Sequence, residues 1–141
     1  MMGLSASPSV TAVPDDLDMA VITTPAPTVP EILKECIEKG VKGAVVITAG
    51  FAEVGNGGRQ LENRISQIAQ AGGIRFVGPN CMGIWSAAGR LNLSFAEAPQ
   101  AGKIAFVSQS GTFGVSMAQV AATRGYGLSK FISIGNQTSL E

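Results

Sequence analysis

In "IAFVSQSGTFGVSMAQ", residues 104–119, an apolar run breaks into Ser108, Gln109, Ser110, Gly111 and Thr112 before resuming with helical spacing. Three hydroxyls around one glycine, where a strand hands over to a helix, suit an anion. The glycine admits close backbone approach, the hydroxyls donate, and the helix start adds unpaired N–H groups and the positive end of its dipole. A phosphoryl group fits that description. The same residues also make an ordinary Ser or Thr helix cap, and spacing alone leaves both readings open. A serine nucleophile is not supported: "SQSGT" is not G-x-S-x-G, and the chain has no histidine to act as base.

Three more loops place small and polar residues directly after an apolar run. "TTPAPT" (23–28) presents Pro25, Ala26 and Pro27. "TAGFAEVGNGG" (48–58) carries Thr48, Ala49, Gly50 and the carboxylate of Glu53, then turns glycine-rich, which suits a ligand-hugging loop and equally a solvated one. In "GPNCMG" (78–83), Pro79 and Asn80 impose a turn and Cys81 stands at the strand end. No neighbouring base would lower the Cys81 thiol pKa, so Cys81 also reads as a small buried hydrophobe. Cys36 falls on the apolar stripe of a helix. The two cysteines lack CxxC or histidine-containing spacing, which argues against a zinc site or a disulfide framework.

The elements that must hold these loops alternate. "DMAVITT" (18–24) reads as a buried strand, and "PTVPEILKECIEKGV" as a helix with Val29, Ile32, Leu33, Cys36 and Ile37 on one stripe. Thr28 is its expected N-cap, with Glu31 three residues on and Gly40 at the stop. A second strand "GAVVITA" (43–49), a helix with Leu61, Ile65, Ile68 and Ala69 on one face, and a third strand "IRFVG" (74–78) follow. This rhythm predicts right-handed crossovers and a parallel sheet covered on both faces, an α/β fold. Ligands of such sheets gather at the carboxyl ends of the strands, where all four loops fall.

Past Gly83 the pattern changes. "IWSAAGRLNLSF" reads as extended pieces turning at Ala88-Gly89, and "AEAPQAGK" as a linker, which sets a domain boundary between residues 98 and 99. A strand "KIAFVS", a helix from Thr112 to Arg124 and a strand "KFISIG" complete the chain. A unit of roughly forty residues is too short to bury an independent core.

Composition excludes several classes. Ten basic and ten acidic side chains cancel, so no broad basic surface invites nucleic acid or anionic lipid. A 45% hydrophobic share with only 14% charged residues argues against disorder. No apolar run approaches the roughly 20 residues that span a bilayer. The start "MMGLSASPSV" lacks a basic segment followed by an apolar one, so a cytoplasmic protein is expected.

"VKGAVVITAGFAE", "GIRFVGPNCMG", "LNLSF", "GKIAFVSQSGTFG" and "GYGLSKFISIGNQ" stand in the order and spacing of a known family. From Val10 to Gln137 the chain resembles the NDP-forming acyl-CoA synthetases, which include the ADP-forming acetyl-CoA synthetases and are similar to the alpha subunit of succinyl-CoA synthetase. The resemblance implies a Rossmann-like CoA-binding domain over residues 1–98, without the family's first strand, glycine-rich turn and helix. It implies the beginning of a flavodoxin-like ligase domain over residues 99–141. The implied reaction interconverts acyl-CoA, ADP and phosphate with free acid, CoA and ATP, through an acyl phosphate and a phosphohistidine.

Carried onto this sequence, the resemblance makes Pro25, Ala26, Pro27, Thr48, Ala49, Gly50 and Glu53 line the cleft for coenzyme A, with Asn80 and Cys81 near its thiol end. Ser108, Ser110, Gly111 and Thr112 would receive phosphate and steady the phosphohistidine. ATP or ADP, with Mg, would belong to an ATP-grasp region or subunit outside this chain. The family's histidine is missing, so the expectation is an internal fragment, inactive alone and inclined to self-associate through unpaired sheet edges. The alternative is a non-catalytic CoA or acyl-CoA binding module with a regulatory role, as in the synthetase-like part of some protein acetyltransferases. No G-x-G-x-x-G follows a strand, which disfavours a dinucleotide-dependent dehydrogenase.

Overall fold

The computed structural model describes residues 6–139; residues 1–5 and 140–141, part of the polar start and the end of the tail, lie outside the described residues. The first helix, α1 (Val29–Lys39), forms where the apolar stripe was expected. Val29, Leu33 and Cys36 are fully buried, while Lys34 pairs with Glu31 at 2.9 Å on the solvent side. Pro30 is tolerated in the first turn, where its missing N–H would have had no helical partner. Gly40 ends the helix at φ 80°, a left-handed conformation that glycine adopts without a Cβ clash.

The start differs from expectation. Residues Ala26–Thr28 already coil as a 3-10 turn, so Thr28 has helical angles and makes no side-chain cap. Its hydroxyl donates backward instead, to Pro25 O at 2.8 Å and Thr24 Oγ1 at 2.9 Å.

Strands β1 (Met19–Ile22), β2 (Gly43–Val46) and β3 (Arg75–Val77) form a parallel sheet in that order. The β2 to β3 crossover is α2 (Asn56–Gly72), closed by Gly73 at φ 70°. Ile22, Ala44, Val46 and Phe76 of the sheet pack with Leu33 and Cys36 of α1, Ile65 and Ala69 of α2, and Phe51 between them. Burying each of the larger ones, such as Leu33, Val46, Ile65 and Phe76, stabilises by about 1.5–3 kcal/mol against leaving it wet.

Both helices share this one core, so the expected helical cover on both faces is not found, although Val45 on the far face is buried. Two right-handed crossovers through strands in sequence order put both helices on the same side. The far face leaves Met19 and Val21 exposed.

The second sheet is mixed. Strands β4 (Gly83–Ser86), β5 (Leu91–Ser94), β6 (Ala101–Ser108) and β7 (Leu128–Ser133) lie in the order β5-β4-β7-β6. β4 runs antiparallel to both neighbours, and β6 is parallel to β7 through the crossover helix α3 (Gly111–Thr123). The β4–β5 hairpin turns at residues 87–90, as expected, with Arg90 N donating to Ala87 O at 3.1 Å. It precedes residue 98 yet pairs with β7, on the other side of the boundary drawn from the sequence. Trp85, Leu128 and Phe131 form the small core here, with Phe106 stacked on Phe131 at 6.3 Å.

Candidate functional site

The carboxyl ends of β1, β2 and β3 release the loops at 23–28, 47–55 and 78–82, and direct contacts join them in sequence. Thr48 Oγ1 donates to Thr24 O at 2.8 Å and Ile22 O at 3.3 Å, tying the first loop to the second. Gly50, at φ 106°, approaches Ala26 so closely that an added Cβ would lie 3.1 Å from Ala26 Cβ. Ala26 is buried, with Pro25 and Pro27 exposed on either side and Ala49 exposed opposite. Asn80 N donates to Thr48 O at 2.9 Å, which brings in the third loop. Asn80 itself is exposed with φ 56°, a conformation asparagine tolerates better than most residues.

Cys81 lies beneath this surface, with Sγ donating to Val46 O at 3.4 Å. Burial pushes its thiol up, outweighing the hydrogen bond from the Gly83 backbone, so at neutral pH it is a packed thiol. Cys36 is raised likewise, first by burial and then by the charge of Glu35.

The fourth loop adjoins the third. Met82 N donates to Ser133 Oγ at 3.0 Å, and a Cβ on Gly111 would fall 2.0 Å from Met82 Cγ. Ser110 is the N-cap of α3, its Oγ accepting from Phe113 N at 3.3 Å, while Ser108 Oγ donates to Ser110 O at 2.8 Å. Two of the three hydroxyls are therefore engaged within the loop. Thr112 is exposed, and the first-turn N–H groups of Gly111 and Thr112 face outward from the helix start without intrahelical partners. Among the described residues no hydrogen bond joins residues 23–28 directly to residues 108–112.

The Glu53 carboxylate is engaged within the protein. Its Oε1 accepts from Gly50 N at 2.5 Å and Phe51 N at 3.1 Å, and its Oε2 accepts from Asn136 Nδ2 at 2.8 Å. Burial works against its charge, but the hydrogen bonds from Asn136, Gly50 and Phe51 prevail and hold the carboxyl below the ordinary glutamate range.

Two residues of this network escaped the sequence reading, Glu62 and Asn136. Glu62 sits on the polar side of α2, where nothing in the pattern marks it apart from its neighbours. Asn136 carried a usable signal: a Gly-Asn pair after a parallel strand is a turn at the same sheet end as the other loops. Among the described residues, no cluster of three or more His, Cys, Asp or Glu could hold a metal ion. No described helix is long and apolar enough to cross a membrane.

Two docked units with their loops crowded on one rim define a class: a Rossmann-like ligand domain followed by flavodoxin-like elements. The chain belongs to the CoA binding domain family, whose profile matches residues 1–87, and the succinyl-CoA ligase like flavodoxin domain matches residues 101–141. More particularly, its relatives are ADP-forming acyl-CoA synthetases, the family the motifs resemble. It is 42% identical over 141 residues to the alpha subunit of ADP-forming acetate–CoA ligase II of Pyrococcus furiosus, covering 100% of this chain and 31% of that protein. It is 45% identical over 142 residues to the ADP-forming acetate–CoA ligase of Methanocaldococcus jannaschii, covering 100% of this chain and 20% of that one.

Among solved structures, the dinucleotide-forming acetyl-coenzyme A synthetase 1 of Ca. Korarchaeum cryptofilum, in complex with phosphate and ADP, superposes with a TM-score of 0.93 at 40% identity. The match covers 100% of this chain and 30% of that one. The chain thus spans less than a third of the length of these relatives.

Proposed function

We propose that this chain supplies the CoA-binding and phosphate-receiving part of an ADP-forming acyl-CoA synthetase. The supporting observation is the continuous rim, on which Thr48, Gly50, Asn80, Met82 and Gly111 link four loops at the carboxyl ends of the strands. Loops at that end of an open α/β sheet are where ligands bind. In this reading Pro25, Ala26, Pro27 and residues 48–53 flank coenzyme A, and Asn80 faces its thiol end. Cys81 gives the loop its shape and takes no covalent part. The start of α3, capped by Ser110, presents the N–H groups of Gly111 and Thr112 to a phosphoryl group, where the helix dipole favours negative charge.

The complete reaction would interconvert acyl-CoA, ADP and phosphate with acid, CoA and ATP through an acyl phosphate and a phosphohistidine. The chain contains no histidine, so the phosphohistidine, the nucleotide and Mg2+ would be held by another region or subunit. The setting would be the cytoplasm. Formation of acyl-CoA from acid, CoA and ATP tests this directly: the purified chain should show no turnover, and robust turnover would overturn the assignment.

The lack of histidine also favours a second reading, a non-catalytic CoA-binding module. Calorimetry with CoA separates the two. A module binds at micromolar level or tighter alone, whereas a synthetase part binds weakly until its remaining regions are supplied.

A further inference from the structure

Asn136, just beyond β7, engages both ends of its side-chain amide and its backbone N–H. Its Nδ2 donates to Glu53 Oε2 at 2.8 Å and to Glu62 Oε2 at 2.7 Å. Its Oδ1 accepts from Asn80 Nδ2 at 3.3 Å, and its backbone N donates to Pro79 O at 2.9 Å. The amide orientation follows from the partners, since the flipped form would set Oδ1 against two carboxylates. The carboxylates it bridges hold the amides of one loop: Glu53 accepts from Gly50 and Phe51, and Glu62 from Ala52 at 2.9 Å. Thr138 Oγ1 adds a second tie to Glu62 Oε1 at 2.7 Å.

We infer that Asn136 is a positioning residue that fastens loop 48–55 to loop 78–81 from the second sheet, so the rim takes its shape only when β7 is docked. Asparagine suits this place because one NH2 group supplies two donors for two carboxylates, while its oxygen serves Asn80. Aspartate, nearly the same shape, would bring three carboxylates together and supply no donor. Glycine before it is required by space: a Cβ on Gly135 would lie 2.1 Å from Pro79 O, so the backbone runs flush against the third loop.

That loop 48–55 faces CoA rests on the proposed function; the tie itself does not. The test is amide hydrogen exchange, followed by NMR, on the whole chain without ligand. Asn136→Ala and Asn136→Asp should each speed exchange at Gly50, Phe51 and Ala52 by about tenfold or more, the scale expected on losing a hydrogen bond to a charged group. Amides of Leu33 and Cys36 in α1 should keep their rates.

Should either variant fail to fold, Glu62→Gln tests the same tie. It leaves one acceptor oxygen where the carboxylate served Ala52, Asn136 and Thr138, and faster exchange at Ala52 is expected. Unchanged exchange at residues 50–52, or a rise of equal size in α1, overturns the inference. Added CoA then bears on the other question alone: protection of residues 48–53 supports the CoA assignment, and its absence counts against that assignment while the tie stands.

Discussion

The two sheets of this chain are built to different standards of burial. In the first, Leu33, Cys36, Val46, Phe51 and Ile65 are all at 0% exposure, and two helices seal one face. In the second, Trp85, Leu128 and Phe131 are buried, while Val107 and Phe113 stand 58% exposed and Val120 49%. The difference lies in the helices. α1 and α2 each carry one apolar stripe against polar faces, whereas α3, "GTFGVSMAQVAAT", is apolar or small around most of its circumference with only one face against the sheet. The first sheet holds itself together, and the second offers surface for something else to cover.

Substitutions can break that contrast. Leu33→Ala, in the first core, should cost about 2–5 kcal/mol in denaturant unfolding, the range for emptying a buried leucine site. An effect no larger than that of a surface change would show the first sheet to be looser than its packing indicates. Gly111→Ala, at the junction, should cost about 1–3 kcal/mol, because the new methyl must displace Met82.

Acid should loosen the junction through Glu53. Its carboxyl is held below the ordinary glutamate value of 4.5, so the ionised form favours the folded state. That contribution is complete above the ordinary value and disappears as pH falls through the lower folded value. The stability gap between the chain and Glu53→Gln should therefore narrow on acidification, and urea midpoints at neutral and acid pH will show whether it does.

Thiol labelling grades the two regions without a mutation. Cys36 lies inside the first core and Cys81 at the junction, so at denaturant below the main transition Cys81 should react sooner with a disulfide reagent. Equal rates would mean that the sheets open as one. The smallest effect on stability is expected for Val120→Lys, within about 0.5 kcal/mol, because about half of the residue is already in solvent. The same change should reduce concentration-dependent self-association in sedimentation, and unchanged association would show that the exposed apolar face of α3 does not supply the contact.

The parts legible in the sequence are those governed by local period and local stops. The stripes of α1 and α2, the glycines at 40 and 73, and the turn near Ala88-Gly89 each follow from residues within a few positions of one another. The parts that were not legible depend on partners far along the chain. Thr28 has the right type for a cap, but a 3-10 turn ahead of it takes the hydroxyl. The hairpin at 83–94 showed its strands but not that β7 would be their neighbour.

The candidate site divides the same way. Its loops were visible as breaks after apolar runs, because the carboxyl ends of strands must turn somewhere. How the polar groups are spent was not visible. Ser110 caps its own helix, Glu53 folds back on its own loop, and Asn136 ties Glu53 to Asn80 from beyond β7.

The return of the tail to the first sheet sets an order of events during synthesis. Glu53 meets Asn136 across a separation of 83 residues, and Glu62 meets Thr138 across 76. A ribosome releases the glutamates long before their partners, so the first sheet can assemble early while the loop above it waits. Contacts this distant in sequence are slow to close. The surface these loops make is accordingly finished only after residues 136–138 have emerged.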